Sequence, residues 1–289
     1  MNRDHKYPLL VKPFSSDGIY QEVLAKEAGW QFLNFNARIM KKKQVWKEYT
    51  GDNEYGIILL SGDYSVKTDK GSWKTEKGRK SVFSGIAYTL YLPRHTEFEL
   101  TAESEILDIA CGWCESDEDH PARFKAPEEA AIEIRGGDNA TRQINSLIQP
   151  GFECQRLVSV EVYTPSGNWS SFPAHKHDER ILDENGKVRE ARLEETYFYK
   201  TDKPQGYAIQ QVYTQDRSLD EIAVARNNDL VMVPRGYHPV AAGHGYNIYY
   251  LNFLTGSDQS LAATDDPDHK WIYDSWSGKD PRIPMVKAL

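Results

Sequence analysis

Short apolar stretches, each closed by glycine, proline, asparagine or aspartate, recur along most of this chain, and they restrict its fold more than any other feature. Examples are Tyr55-Gly56-Ile57-Ile58-Leu59-Leu60, Tyr88-Thr89-Leu90-Tyr91-Leu92, Leu157-Val158-Ser159-Val160-Glu161-Val162-Tyr163, Tyr207-Ala208-Ile209-Gln210-Gln211-Val212-Tyr213, Leu230-Val231-Met232-Val233 and Asn247-Ile248-Tyr249-Tyr250-Leu251-Asn252. They have the length and the β-branched and aromatic content of strands, and convincing helical periodicity is nearly absent. The spacing predicts an all-β protein of sandwich or barrel type. The 17 Tyr, 10 Phe and 7 Trp suit pleated, half-buried surfaces.

A length of 289 residues exceeds one ordinary core and predicts two domains of near-equal size. The two halves also look like weak copies of one another. Leu90-Tyr91-Leu92-Pro93-Arg94-His95 and Met232-Val233-Pro234-Arg235-Gly236-Tyr237-His238 are each an apolar strand, a Pro-Arg turn and then a histidine. Upstream, Gly56–Asp63 resembles Glu195–Asp202. A charged, proline-containing passage from Glu115 through Pro127 opens the connection, so the boundary is expected between 120 and 150, with domains at 1–135 and 136–289.

Composition narrows the class further. Hydrophobic residues make up 39% and charged residues 27%, as expected of a soluble globular chain. No apolar run reaches the length of a membrane span, and the charged start Met1-Asn2-Arg3-Asp4-His5-Lys6 is followed by no apolar signal segment, so a cytoplasmic protein without a membrane partner is expected. A net charge of −8, with Lys41-Lys42-Lys43 as the one basic run, argues against nucleic acid. Three cysteines suit a reducing compartment. Cys111-Gly112-Trp113-Cys114 follows an alternating strand rather than opening a helix, which favours a structural role over a redox one.

His175-Lys176-His177 is the stretch that carries chemistry. Side chains two apart on a strand share a face, so both imidazoles look into one space. With Glu195, which opens the strand Thr196-Tyr197-Phe198-Tyr199, and His238, just beyond the Pro-Arg-Gly turn, they offer three imidazoles and one carboxylate. Glu195 is preferred to its neighbour Glu194, which should face the other way. Such a set suits one divalent metal, Zn or Mn first, with Fe, Ni and Co also compatible, and leaves positions open for water or substrate. The first half has no His-x-His, so it reads as a degenerate duplicate without metal ligands.

This arrangement resembles the cupin superfamily, with His175-Lys176-His177 and Glu195 as the first motif and Pro234-Arg235-Gly236-Tyr237-His238 as the second. Two departures are an unusually long stretch between His177 and Glu195, expected to be a hairpin turning at Asn185-Gly186, and Asp229 in place of a customary glycine. A closer resemblance, carried by Pro173-Ala174-His175-Lys176-His177-Asp178, Leu193-Glu194-Glu195-Thr196-Tyr197-Phe198-Tyr199, Val233-Pro234-Arg235-Gly236-Tyr237-His238 and Asp266-Pro267-Asp268-His269-Lys270-Trp271, is to the 5-deoxy-glucuronate isomerase family of myo-inositol catabolism. That family is related to the 4-deoxy-uronate ketol-isomerases. The resemblance implies a bicupin, two jelly-roll barrels in one chain, that converts 5-deoxy-D-glucuronate to 2-deoxy-5-keto-D-gluconate.

Such an aldose–ketose isomerisation runs through an enediol, and needs a cation at the developing enediolate and a base to move the proton. Asp178, Glu194 and a metal-bound hydroxide are candidate bases, with Tyr237 as a relay. The substrate carboxylate calls for a guanidinium or ammonium; Arg235 is the first choice, followed by Lys176, Arg180 and Arg217. Lys176 alternates with the two histidines and should point away from the metal. A cupin dioxygenase with iron at the same ligands and a non-catalytic sugar-binding cupin are the alternatives. Exposed strand edges fit a homo-oligomer.

Overall fold

The computed structural model describes residues 8–15 and 18–288. The N-terminal segment read above for its charge lies outside the described residues.

Strands dominate as expected. In the first half a six-stranded sheet runs in the order Arg123–Lys125, Thr89–Leu92, Asn53–Ser61, Ile106–Glu115, Asn34–Lys41, Ile19–Val23, and a four-stranded sheet in the order Val45–Tyr49, Glu97–Ala102, Tyr64–Thr68, Gly71–Lys74. The second half repeats the scheme. Its seven-stranded sheet runs Leu10–Val11, Leu230–Val233, Leu193–Thr201, Ile248–Gly256, Val158–Thr164, Arg142–Ile148, Ala131–Arg135, and its four-stranded sheet Trp169–Ser170, Val240–Ala242, Tyr207–Tyr213, Asp220–Arg226. The only α-helix among the described residues is Ala25–Ala28, and no helix there is long and apolar enough to cross a membrane.

Three cores lie between these sheets. Ile57, Leu59, Val66, Leu90, Leu100 and Ile109 pack between the large and small sheets of the first half. Val160, Val162, Val212, Val231, Val240 and Ile248 do the same in the second. A third core joins the two large sheets back to back, with Phe35, Ile58, Leu60 and Ala110 from one meeting Ile148, Phe198, Leu251 and Phe253 from the other. Successive strand residues point to opposite faces. Ile57-Ile58-Leu59-Leu60 is therefore apolar at every position because both faces of its sheet are buried. The contact is close: Gly56 and Gly112 are cross-strand partners, and a Cβ on Gly112 would overlap the ring of Phe253.

The first half lends an edge strand to the second. Leu10–Val11 pairs with Leu230–Val233 in the second half's sheet, while Arg123–Lys125 occupies the equivalent edge beside Thr89–Leu92. Ala131–Arg135 already pairs with Arg142–Ile148, so the chain crosses between halves at 126–130, slightly ahead of the 135/136 boundary expected from composition.

Register aligns the halves residue by residue. Tyr55 lies opposite Leu92 and Glu195 opposite Val233, and each of those partners precedes a Pro-Arg turn. Tyr55 therefore stands where Glu195 stands in the other half, stacked on Trp113 at 5.6 Å between ring centroids. Two sequence equivalences are corrected. Tyr55 rather than Gly56 aligns with Glu195, a shift of one residue. His95, at φ 56°, matches Gly236, at φ 85°, as the residue with positive φ after Pro-Arg. It does not match His238; its side chain is exposed and its Nδ1 is 3.0 Å from Tyr49 Oη. All three cysteines are free and buried, and Cys111 and Cys114 fall in different cores on opposite faces of one strand, which leaves them unable to form a local redox pair.

Candidate metal centre and its pocket

In the first half, residues 50–52 connect Val45–Tyr49 to Asn53–Ser61. The corresponding connection in the second half is residues 171–192, and it contains both His175 and His177. The expected hairpin lies within it: Ile181–Leu182 pairs with Val188–Glu190, and Gly186 at φ 78° makes the turn with its N–H on the Asp183 carbonyl at 3.0 Å. The hairpin projects outward, so the inserted residues leave the ligand register undisturbed. Leu193 N–H donates to the His177 carbonyl at 2.9 Å, tying the histidine loop to the strand that carries Glu195.

Glu195, His177 and His238 are buried together, with ligand atoms all within 4.8 Å of one another. Glu195 Oε2 lies 2.9 Å from His177 Nε2 and 3.3 Å from His238 Nε2. The His175 ring stands beside them, 4.8 Å from that of His238 between centroids. Gly236 permits the turn before His238 because its φ is positive and a Cβ there would collide with the Tyr213 carbonyl.

Protonation favours a cation. His238 Nδ1 is 2.8 Å from the Gly236 carbonyl, which can only accept, so Nδ1 carries a hydrogen and the lone pair of the neutral ring is on Nε2. That Nε2 is fully buried and has no hydrogen-bond partner. Burial and the neighbouring imidazoles of His238 and His177 push His175 well below the usual histidine range, leaving it neutral. Burial opposes charge on Glu195, but the hydrogen bond from His177 and the closeness of the His238 ring outweigh it and hold the carboxyl at about 2. Burial likewise opposes charge on His177, and the Glu195 carboxylate outweighs it, raising the imidazole. An orphaned imidazole nitrogen, an ionised carboxylate and further imidazoles form a donor set that fits a divalent metal.

His175, His177 and Glu195 open into a pocket on the inner face of the second half's large sheet, lined also by Arg135, Arg142, Ser171, Tyr197, Tyr250 and Asn252. Ser171 Oγ lies 3.0 Å from Tyr197 Oη and 3.4 Å from Tyr250 Oη, and Tyr250 also bonds Ser170. Burial raises the pKa of both tyrosines, so both remain phenols.

The other candidates from the sequence lie elsewhere. Glu194 faces away and accepts the backbone N–H groups of Gln31, Phe32 and Leu33 at 2.6, 2.9 and 2.9 Å. Asp178 accepts from Lys176 Nζ at 2.6 Å and from Gly236 N–H at 2.7 Å. Tyr237 is buried against Tyr213, with its hydroxyl 3.2 Å from Gln215 Oε1. Lys176 also pairs with Glu190 at 2.9 Å, Arg180 with Asp258 and Arg217 with Asp220. Arg235 is exposed in a wide groove shared with Trp30 and Arg180. None of the seven lines the histidine pocket. Arg135 and Arg142 do, and neither is among the residues that the sequence singles out. Their signal is alternation along each strand, since Glu133 and Arg135 lie on the same face of the sheet as their neighbours Arg142, Ile144 and Ser146, but they sit where the sequence reads as a connection.

Fold and site together define an all-β protein of the cupin class. A mutant of Bacillus subtilis oxalate decarboxylase shares the fold at a TM-score of 0.60 and 13% identity, covering 88% of this chain and 76% of that one. The chain belongs to the KduI/IolB family, whose sequence model matches residues 9–272. It is 36% identical over 262 residues to the 5-deoxy-glucuronate isomerase of Geobacillus kaustophilus (strain HTA426), covering 90% of this chain and 93% of the relative. With the 5-deoxy-glucuronate isomerase of Bacillus subtilis (strain 168) it shares 34% over 271 residues, covering 91% and 98%. The crystal structure of an IolB-like protein from Salmonella typhimurium LT2 superposes at a TM-score of 0.87 with 36% identity, covering 92% of this chain and 99% of that chain.

Proposed function

We propose that this chain is a metal-dependent 5-deoxy-glucuronate isomerase, carrying the aldehyde acid to its ketose isomer, 2-deoxy-5-keto-D-gluconate. Family membership and full-length relatives of that name support the reaction. The observation that carries the site is the buried, unpartnered His238 Nε2 beside the ionised Glu195 carboxylate. His175, His177, Glu195 and His238 would hold one divalent ion, with Zn or Mn the first choices. When bound, the ion supplies a Lewis acid that stabilises negative charge on the carbonyl and adjacent hydroxyl oxygens.

The chain's own residues supply the rest. Ser171 Oγ joins the phenols of Tyr197 and Tyr250 into a hydroxyl chain along the pocket wall, a route for delivering a proton to a substrate oxygen. The apolar side chains of Ile144, Val160 and Val162 line the same pocket and keep bulk water from the intermediate. Asp178 and Lys176, tied to each other, position the histidine strand rather than touch substrate. Three free cysteines fit a cytoplasmic setting.

The test is turnover of 5-deoxy-glucuronate in D2O by metal-analysed enzyme. The expected outcome is a ketose carrying deuterium at the new CH2OH carbon, with activity tracking metal content. Full activity in metal-free protein would overturn the metal site. Complete retention of the original hydrogen would replace the enediol route with a hydride shift.

A further inference from the structure

We propose that Arg142 is the binding group for the carboxylate of the sugar acid. This rests on the isomerase reading only for the identity of the acid. Arg142 opens the strand Arg142–Ile148 directly opposite Arg135, its Cα partner on Ala131–Arg135, and both side chains reach the pocket that holds His175, His177 and Glu195. The two guanidiniums differ in one respect that decides their roles. Arg135 is satisfied by Glu133, with its Nε and Nη2 donating to the two carboxylate oxygens at 2.9 and 2.7 Å. Arg142 has no ion-pair partner among the described residues.

The Arg142 side chain is buried, and its hydrogen bonds run from Nη1 to the carbonyls of Ala140 at 3.2 Å and Phe172 at 2.8 Å. Carbonyls orient a guanidinium without neutralising it. Its Nε and Nη2 carry no hydrogen bond, so the edge of the fork suited to a two-pronged carboxylate contact is free. A buried cation without an anion is costly. Burial and the neighbouring Arg135 both act on this one to lower its pKa. The same protein shows how a purely structural buried guanidinium is treated: Arg79 meets Glu161 at 2.8 Å. Arg142 has instead a cavity wall, and an anion arriving in that cavity supplies its missing partner.

The placement also suits the reaction. A uronic acid carries its carboxylate and its aldehyde at opposite ends of the chain. Anchoring the carboxylate at Arg142 directs the reacting carbons toward the Glu195–His238 cluster on the same inner face. The pocket's charges point the same way, since the Arg135–Glu133 pair cancels and leaves Arg142 as the uncompensated cation of the wall.

The test separates binding from turnover. Calorimetric titration of the holoenzyme compares D-glucuronate with uncharged D-glucose, for the wild type, Arg142→Gln and Arg142→Lys, with thermal melts to establish that each variant is folded. The wild type should prefer the acid by at least about tenfold. Arg142→Gln should weaken the acid by roughly a hundredfold and leave glucose unchanged, with Arg142→Lys intermediate. A wild type without preference for the acid overturns the assignment, as does a folded Arg142→Gln that keeps the preference. Turnover of 5-deoxy-glucuronate is read independently: preference for the acid without isomerisation would remove the proposed reaction and leave the carboxylate site standing, and isomerisation without that preference would do the reverse.

Discussion

Glu54 and Glu194 occupy equivalent positions in the two halves, and each binds the backbone of the opposite half. Glu194 accepts the N–H groups of Gln31, Phe32 and Leu33, which lead into strand Asn34–Lys41. Glu54 accepts those of Gln155, Arg156 and Leu157, which lead into strand Val158–Thr164, at 2.9, 2.7 and 2.9 Å. A carboxylate taking three backbone donors is a strong, directional tether. The internal repeat therefore supplies a reciprocal clamp about a pseudo-twofold relationship, and Glu194 belongs to the interface between halves.

Loss of either clamp should lower stability without removing the metal. Glu54 is fully buried, and Glu54→Ala leaves its donors unsatisfied at a cost of roughly 3–4 kcal/mol. The half-buried Glu194 should cost roughly 1–3 kcal/mol when replaced by alanine. Urea unfolding checks both. A Glu194→Ala protein with normal stability and greatly reduced kcat would return Glu194 to the chemistry.

Glu195, one residue on, should behave in the opposite way. Glu195→Gln or His238→Ala is expected to lose stoichiometric metal by elemental analysis and to lose isomerase activity, while Glu194→Gln keeps both. Chelation of the wild type should lower its melting temperature, and Zn or Mn should restore it, because the ion binds the folded state and not the unfolded chain. Full metal retention by His238→Ala would contradict the ligand set.

Arg79 and Glu161 form a second, fully buried link between the halves at 2.8 Å, extended by Tyr163 Oη at 2.7 Å and Asn145 Nδ2 at 3.0 Å. Arg79→Met strands a buried carboxylate and should cost about 3–5 kcal/mol. Adding Glu161→Gln removes that charge, so the double variant should be less destabilised than the two single costs combined. Strictly additive losses in a double-mutant cycle would show that the two groups act independently.

Much of this architecture could be read from the chain because the physics behind it is local. Runs such as Leu230–Val233 carry both strand propensity and burial, and His175, His177, Glu195 and His238 each sit at a strand or turn with a regular period. Other features depend on tertiary closure. His95 looks like a counterpart of His238 by its spacing from Pro-Arg, but the backbone makes it the counterpart of Gly236. Tyr55 occupies the position of Glu195, so the first half keeps the strand and lacks that candidate ligand. Arg142 escaped because its strand lies far from the histidine motifs in sequence and meets them only when the large sheet forms. Arg235, Lys176, Arg180 and Arg217 lie close to those motifs in sequence, yet sequence neighbours on a strand or turn can face opposite sides.

Asp178 offers the sharpest distinction between a base and a positioning residue. Its Oδ2 accepts the Gly236 N–H at 2.7 Å while Oδ1 holds Lys176 Nζ at 2.6 Å, so one carboxylate joins the His175–His177 segment to the turn that presents His238. The Lys176 and Gly236 hydrogen bonds overcome the effect of burial and keep its pKa below the usual carboxylate value. Asp178→Asn should loosen the distance between the two histidine segments and weaken metal affinity by about 10–100-fold, as removal of supporting hydrogen bonds does at other metal sites. Because the side chain lies outside the pocket, saturating metal should then restore kcat to within a few-fold of wild type. A base would leave a different signature, with kcat low at every metal concentration and the pH–rate profile losing its acidic limb. Measuring kcat against metal concentration for Asp178→Asn, together with that pH profile, decides between the two roles.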